Sequence, residues 1–265
     1  MKDGGCSMAA ELDRQDLFYP DLQVEIGSYI FTEGISVKTY SCRNKPYDWG
    51  KVIFTNEYKP EISLPEQSEI VIKLGYSGVL QEVFIGTLIK GYDKCSDMNE
   101  ILFKDHMYKL EKANITACFK NCTPQDIIKE GLMIAGIEKY HLSQNTYPVK
   151  KMFPVYSKNM VQLLKQINAA WGIENEGFFI KGRFYWGTAP TQEEIPEFEY
   201  GSNIISLGRG MDMWELVTIS IPSMQHSQKI VVNHPKITGI FETEKVVFAT
   251  NEAGFLRTTI YFKGE

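Results

Sequence analysis

The sequence lacks any run of about 18 to 20 uncharged apolar residues, the length that a bilayer-spanning helix needs. The first thirteen residues carry charges and two glycines but no continuous apolar segment, so no secretory signal is expected. The five cysteines are scattered and odd in number, which argues against a disulfide framework. We therefore expect no membrane insertion and reduced thiols in a cytoplasm.

The sequence also lacks a dense basic run. Its 28 Lys and Arg residues face 33 Asp and Glu residues, for a net charge of -5 and a pI near 5.6. Proteins that hold nucleic acid by neutralising phosphates are usually basic or carry one basic face. Hydrophobic residues make up 43% of the chain and charged residues 23%, which excludes disordered, collagen-like and coiled-coil classes.

Motifs for catalysis or metal binding are missing as well. There is no P-loop, no G-x-S-x-G elbow and no G-x-G-x-x-G loop, and Gly208-Arg-Gly210 is better explained as a bulge at a barrel edge. Cys118 and Cys122 form the one close cysteine pair, and we interpret them as packing residues. The histidines show no zinc-binding spacing; they are His106, His141, His226 and His234. We expect no catalytic residue, no metal and no cofactor.

Paired carboxylates would be needed by a cell-wall hydrolase of this size. The two acidic clusters are Glu174 with Glu176, and Glu193 with Glu194. Both lie in polar turn or linker sequence, where solvated charge is the simpler explanation and little burial is available to raise a pKa. Asp105 beside His106 is no better, because neighbouring side chains on a strand point in different directions.

Hydrophobic alternation with a period of two begins at Leu22, after an arm over residues 1–20 that shows no periodic pattern. Glycines punctuate the alternating runs, as turns and bulges of a curved sheet require. This pattern predicts a first small β-barrel or sandwich over residues 21–105. The alternating positions are Leu22, Val24, Ile26, Ile35, Val37, Val52, Phe54, Ile70, Ile72, Val83, Ile85, Thr87 and Ile89.

Residues 106–200 change to a helical pattern. Thr123 can cap a helix in which Pro124 takes the first position and which Gly136 ends. A second helix is predicted to begin at a Ser157 cap and to end at Gly172, with apolar residues at helical spacing between them.

An aromatic hairpin follows the second helix. Phe178-Phe179 and Phe184-Tyr185-Trp186 flank the turn residues Lys181-Gly182. These rings could form a platform for a sugar or a base, but we expect most of them to pack in a core against the helix. The Pro- and Glu-rich residues 187–200 are interpreted as a linker.

Strand patterns return over residues 201–265, with a final turn predicted at 251–254 and no strict repeat of 20 to 50 residues. The predicted fold is therefore α+β, mainly β. It consists of two β-barrel modules, 21–105 and 201–265, joined by a small helix-containing α/β middle region, 106–200.

The order of these parts resembles the baseplate hub family of phage tails, the late control gene D type, which is related to hubs of type VI secretion spikes and R-type bacteriocins. The likeness starts at Leu22 and runs to the C-terminus, and it depends on order and pattern. The segments that carry it are 83–93, 123–136, 157–172, 178–186 and 231–239.

The resemblance implies two tube-type barrels per chain and a homotrimeric ring, whose six barrels match a sixfold tail tube while its threefold symmetry suits a central spike. Expected partners are further copies of the chain, tail tube protein, central spike or tail tip protein, and tape measure protein. DNA is expected only as passing cargo, which a mildly acidic channel would not retain. The expected location is a virion or tail-like particle assembled in a bacterial cytoplasm.

Two other functions stay open from the sequence. The first is a tail-associated cell-wall-degrading enzyme, for which Glu174 and Glu176 are the first suspects. The second is a carbohydrate- or receptor-binding module that uses the aromatic hairpin.

Overall fold

The computed structural model describes residues 20–43, 45–55, 62–93, 99–250 and 255–264. These residues form a mainly β structure, as expected, and contain three α-helices where two were predicted. The helices are α1 (Met107–Lys112), α2 (Pro124–Ile134) and α3 (Met160–Trp171). The predicted N-terminal arm, apart from Pro20, and the predicted turn at 251–254 lie outside the described residues.

Twenty strands are described. In the first part of the chain they are β1 (Pro20–Ile26), β2 (Tyr29–Phe31), β3 (Ile35–Cys42), β4 (Trp49–Phe54), β5 (Ser63–Leu64), β6 (Glu69–Tyr76), β7 (Val79–Leu88), β8 (Tyr92–Asp93) and β9 (Glu100–Asp105). In the middle they are β10 (Asn114–Cys122), β11 (Tyr140–Leu142), β12 (Lys150–Asn159), β13 (Gly177–Ile180) and β14 (Arg183–Trp186). The last are β15 (Glu197–Glu199), β16 (Ile204–Arg209), β17 (Trp214–Ile219), β18 (Lys229–His234), β19 (Ile237–Thr250) and β20 (Leu256–Phe262).

One large sheet contains strands from both ends of the chain. Its order is β16-β17-β20-β19-β3-β4-β9-β7-β6-β1-β2, and β18 branches from β19 with β15 beside it. All pairs along the main path are antiparallel, and only the β15–β18 pair is parallel. Alternation of apolar and polar residues fits this arrangement, because one face of the sheet covers a core.

The long strand β19 joins the two halves. Its residues 237–242 pair with β18, and its residues 245–249 pair with β3. The sheet also curls, since the Tyr76 hydroxyl at the end of β6 is hydrogen-bonded to the backbone of Ser220, just after β17. Within the described part of the chain no closed barrel is found. The two strand-rich segments expected to form barrels instead continue into each other as one open, curved sheet.

Two large hydrophobic cores and one small cluster of Phe178, Ile180 and Tyr185 are present in the described residues. The sheet core takes buried residues from the first and the last part of the chain, among them Val24, Phe103, Phe198 and Ile260. The core of the middle region gathers residues between Met107 and Trp186. Each fully buried aliphatic or aromatic side chain contributes about 1.5 to 3 kcal/mol, so both cores stabilise the fold strongly.

The helices of the middle region end and begin with defined caps. The Thr123 side chain accepts a hydrogen bond from the Asp126 backbone, and the Asp126 carboxylate accepts one from Thr123 N, which forms the predicted cap. The predicted cap of α3 was wrong by two residues. Asn159, not Ser157, caps α3 by accepting from Gln162 N at 2.9 Å, because Ser157 still belongs to β12 with a φ of 45°.

The remaining parts of the middle region are β-ribbons. β10 and β12 form a two-stranded ribbon that the sequence did not predict, and β11, β14 and β13 form a three-stranded sheet. The aromatic hairpin lies where it was predicted, with Lys181 and Gly182 at its turn. The predicted linker 187–200 contains a short strand, β15, because Phe198 packs into the sheet core.

Candidate functional site

The ends of the large sheet expose unpaired backbone. On one side β16 pairs only with β17 among the described strands, and on the other β2 pairs only with the last three residues of β1. Apolar side chains accompany these edges, since Ile205 is 50% exposed and Ile30 is 63% exposed. Unpaired strand edges with exposed apolar residues are sites at which another strand can add to a sheet.

The predicted bulge lies on the edge strand β16 but at a different position. The pairing of β16 with β17 shifts register between Ile204 and Ser206. Gly208 is in regular pairing with Glu215, and Gly210 N donates to Met213 O in the turn that follows. The glycines therefore serve the end of the strand rather than the bulge.

A buried carboxyl pair lies where the sheet meets the middle region, and the sequence did not reveal it. Asp48 and Asp105 are 8% and 4% exposed. Asp105 accepts hydrogen bonds from Asp48 N at 3.1 Å and from Met107 N at 3.0 Å. Asp48 accepts from Ser41 Oγ at 2.5 Å and from Cys42 N at 2.9 Å. Asp105 thus ties the start of β4 to the start of α1.

Both members of this pair favour the protonated form. Burial raises the pKa of Asp48 to about 7. Burial and the nearby charge of Asp48 raise the pKa of Asp105 well above its usual range. The cavity beside them measures only about 30 Å³, about the space of one water molecule. Their hydrogen bonds assign this pair to the joint between the sheet and the middle region.

Two buried histidines lie at the same joint. Burial, with a smaller effect of nearby lysines, lowers the pKa of His106 to about 4. Burial and the Arg43 charge lower the pKa of His226 to about 4 as well. His226 Nδ1 is 2.9 Å from Ser227 Oγ. The centres of the His226 and Phe178 rings are 5.3 Å apart, in an edge-to-face arrangement. Neutral imidazoles are therefore part of the packing here.

The aromatic hairpin supplies the other side of the joint. Its five rings are at most 8% exposed, which confirms that they form a core and leaves no open platform for a sugar or a base. Arg43 from the end of β3 lies 4.1 Å from the centre of the Phe178 ring and 3.8 Å from the Glu176 carboxylate. The hairpin therefore docks the middle region onto the sheet.

The two acidic clusters considered for catalysis lie at the surface. Glu174, Glu193 and Glu194 are exposed, and Glu176 forms its surface salt bridge with Arg43. Cys118 is exposed and Cys122 is buried, and both are free thiols. Among the residues that the structure describes, no group of three or more His, Cys, Asp or Glu side chains could hold a metal ion. In the same residues, no helix has the length and apolar character of a membrane span.

A groove of about 430 Å³ lies at the start of α2 and is lined mostly by polar residues of 123–129 and 140–147. Hydrogen bonds with Thr123 lower the pKa of the Asp126 carboxyl in this groove. The same hydrogen bonds cap the helix.

Comparison with solved structures reveals the same fold in tail proteins. A 43 kDa tail protein of prophage MuSo2 from Shewanella oneidensis superposes with a TM-score of 0.70 at 11% identity, over 92% of this chain and 97% of its own. A tail protein from Neisseria meningitidis MC58 gives 0.67 at 12% identity, over 94% and 97%.

The E. coli c3393 protein, a component of the type VI secretion system with structural similarity to phage T4 tail proteins gp27 and gp5, gives 0.65 at 9% identity, over 91% of this chain and 76% of its own. No family model matches the sequence, and no curated protein matches it. The likeness is therefore one of fold along nearly the whole chain.

Proposed function

We propose that this chain is a structural component of a phage tail or a phage-tail-like particle, and that it acts as the baseplate hub rather than as an enzyme. The fold likeness to two tail proteins over more than nine tenths of each chain supports the tail role. The burial of the aromatic hairpin and the exposure of the two acidic clusters considered for catalysis weigh against the carbohydrate-binding and hydrolase alternatives.

The observation that carries this proposal is the continuous sheet with free edges. In our proposal residues 21–105 and 201–265 act as two tube-type modules that β3 and β19 join, and 106–200 form a middle region between them. Three copies then present six modules to a sixfold tail tube and three middle regions to a threefold spike. The β16 edge of one copy would pair with the β1–β2 edge of the next, so that ring closure covers both edges.

The proposed partners follow from this arrangement. They are two further copies of the chain, tail tube protein on one side and central spike or tail tip protein on the other. Tape measure protein and DNA would pass through the opening. The proposed location is the virion or tail-like particle, after assembly in the bacterial cytoplasm.

The mass in solution tests the proposal. Light scattering should detect a trimer of about 91 kDa, three times the chain mass of 30.3 kDa. The chain is measured alone over a wide concentration range and also with tube protein. Ile205→Lys places a charge on the β16 edge and should lower the trimer fraction. Met133→Lys is the matched control, because Met133 is an equally apolar, 65% exposed residue on α2. A monomer under every condition, or equal effects of the two substitutions, would contradict the proposal.

A further inference from the structure

The outward face of the central strands carries a row of cations. Cross-strand pairing places Arg257 of β20 opposite Ala249 of β19, Ala249 opposite Lys38 of β3, and Lys38 opposite Lys51 of β4. Adjacent strands are about 4.8 Å apart, so these four positions form a line about 14 Å long across the strands. Three of the four positions are basic, on a protein whose net charge is -5.

Aromatic residues in the neighbouring cross-strand row contact the cationic side chains. Tyr40 stacks on Trp49 with ring centres 4.4 Å apart. The ammonium groups of Lys38 and Lys245 lie 5.2 and 5.4 Å from the centre of the Tyr40 ring. Because cations already lie over Tyr40, that ring is better suited to hold ammonium groups in place than to stack on a nucleic-acid base.

Most of this positive charge is not neutralised locally. Lys51 forms a salt bridge with Glu100 at 2.7 Å. No salt bridge joins Lys38, Lys245 or Arg257 to a carboxylate of the described residues.

The Lys38–Lys51 pair is itself unfavourable. Like charges directly opposite each other in a sheet are destabilising. The Glu100 carboxylate offsets this repulsion at Lys51, and Lys38 is the member of the pair that no described carboxylate balances.

We propose that this row contacts the phosphate backbone of duplex DNA without reading its sequence. A row of basic positions across neighbouring strands complements a linear polyanion, and lysine is depleted in the cores of protein–protein interfaces. The inference rests on the proposed function only in taking duplex DNA as the polyanion that such a particle encounters. It adds to the expected mildly acidic channel a defined line at which DNA is held weakly.

The test is the salt dependence of DNA binding by the whole chain. Anisotropy of a fluorescein-labelled 20-base-pair duplex is titrated with protein from about 25 to 200 mM NaCl. If Lys38, Lys51 and Arg257 each contact one phosphate, the slope of log K against log salt should be about -2.7. This slope corresponds to about a 40-fold loss of affinity between 50 and 200 mM NaCl. The double substitution Lys38→Gln with Arg257→Gln should reduce the slope to about -0.9.

The matched control is Lys151→Gln with Lys158→Gln, which makes the same change of net charge at exposed positions of β12. It should bind like the unmodified chain, and circular dichroism should confirm that both double variants are folded. Absence of DNA binding at 25 mM NaCl, or an equal loss in the control, would overturn the proposal.

A poly-glutamate peptide of matched charge separates DNA from an acidic protein partner. If it binds more tightly than the duplex, the row is a site for an acidic protein and the proposal is wrong. The mass measurement described above is independent of these outcomes, so failure of DNA binding is distinguishable from failure of the assembly proposal.

Discussion

The buried carboxyl pair at the joint predicts how stability depends on pH. We consider Asp105→Asn, which removes one titrating group and keeps the shape of the side chain. In the folded chain Asp105 accepts two backbone hydrogen bonds, from Asp48 N and Met107 N. The amide has one acceptor oxygen and one donor nitrogen, so one buried N–H loses its acceptor. That loss should cost about 1 to 3 kcal/mol at pH 5, where the unmodified pair is protonated.

The sign of the pH effect follows from the raised pKa values. A carboxyl whose folded pKa lies above its unfolded value adds stability at low pH, and this stability is lost as the pH rises through the folded pKa. For Asp48, the difference between 3.8 and about 7 corresponds to about 4 kcal/mol, at about 1.4 kcal/mol per pH unit. Asp105 shifts in the same direction. The unmodified chain should therefore lose stability between pH 5 and pH 8, and the variant should lose less.

The assay is urea unfolding of both proteins at half-unit steps from pH 5 to pH 8. His106 and His226 have lowered pKa values and oppose the trend below pH 6.5, but they are present in both proteins and cancel in the difference. The free energy of unfolding of the unmodified chain should exceed that of Asp105→Asn at pH 5. This difference should shrink by more than 1 kcal/mol as the pH rises and should vanish near pH 8. Asp212→Asn, at an exposed position, is the control and should run parallel to the unmodified chain. A pH-independent difference for Asp105→Asn would refute the reasoning.

Four further substitutions test the packing, the helix cap and the charge repulsion. Gly131→Ala should destabilise the protein by about 1 kcal/mol in urea unfolding, although alanine has the better helix propensity. The reason is that the new Cβ would lie 2.3 Å from Met160 Sδ. A gain in stability would show that α2 and α3 are not in close contact. Asn159→Ala should lower the free energy of unfolding by about 1 kcal/mol, and Ser157→Ala should lower it by less than about 0.5 kcal/mol. The reverse order would show that Ser157 is the cap of α3. Lys38→Glu should raise stability by about 0.2 to 1 kcal/mol by removing the repulsion across β3 and β4, and a loss would remove the evidence for repulsion.

The sequence predicts elements well where a local pattern is strong. Thr123 with Asp126, and Lys181-Gly182 between aromatic runs, are short-range signals, and the helix and the hairpin lie where these signals place them. The β10–β12 ribbon has no such short-range signal, because its two strands are separated in the chain by α2 and β11 and no tight turn joins them. Local patterns therefore predict the type of an element better than its partners.

Long-range pairing explains what the sequence could not predict. Two separate β segments were expected, and the pairing of β3 with β19 joins residues more than 200 positions apart into one sheet. The Asp48–Asp105 pair depends on the same kind of contact, since β4 and β9 bring two ordinary acidic residues together under the middle region. Net charge was also a poor guide, because an acidic chain carries a basic row on one face.

Electron microscopy of the purified oligomer tests the central claim most directly. Averaged images at a concentration where light scattering detects the assembly should show a ring with threefold symmetry. The β16 edge of each copy should lie against the β1–β2 edge of the next, with the outward face of β20, β19, β3 and β4 lining the opening. A ring in which these edges remain apart, or particles with no ring, would contradict the account.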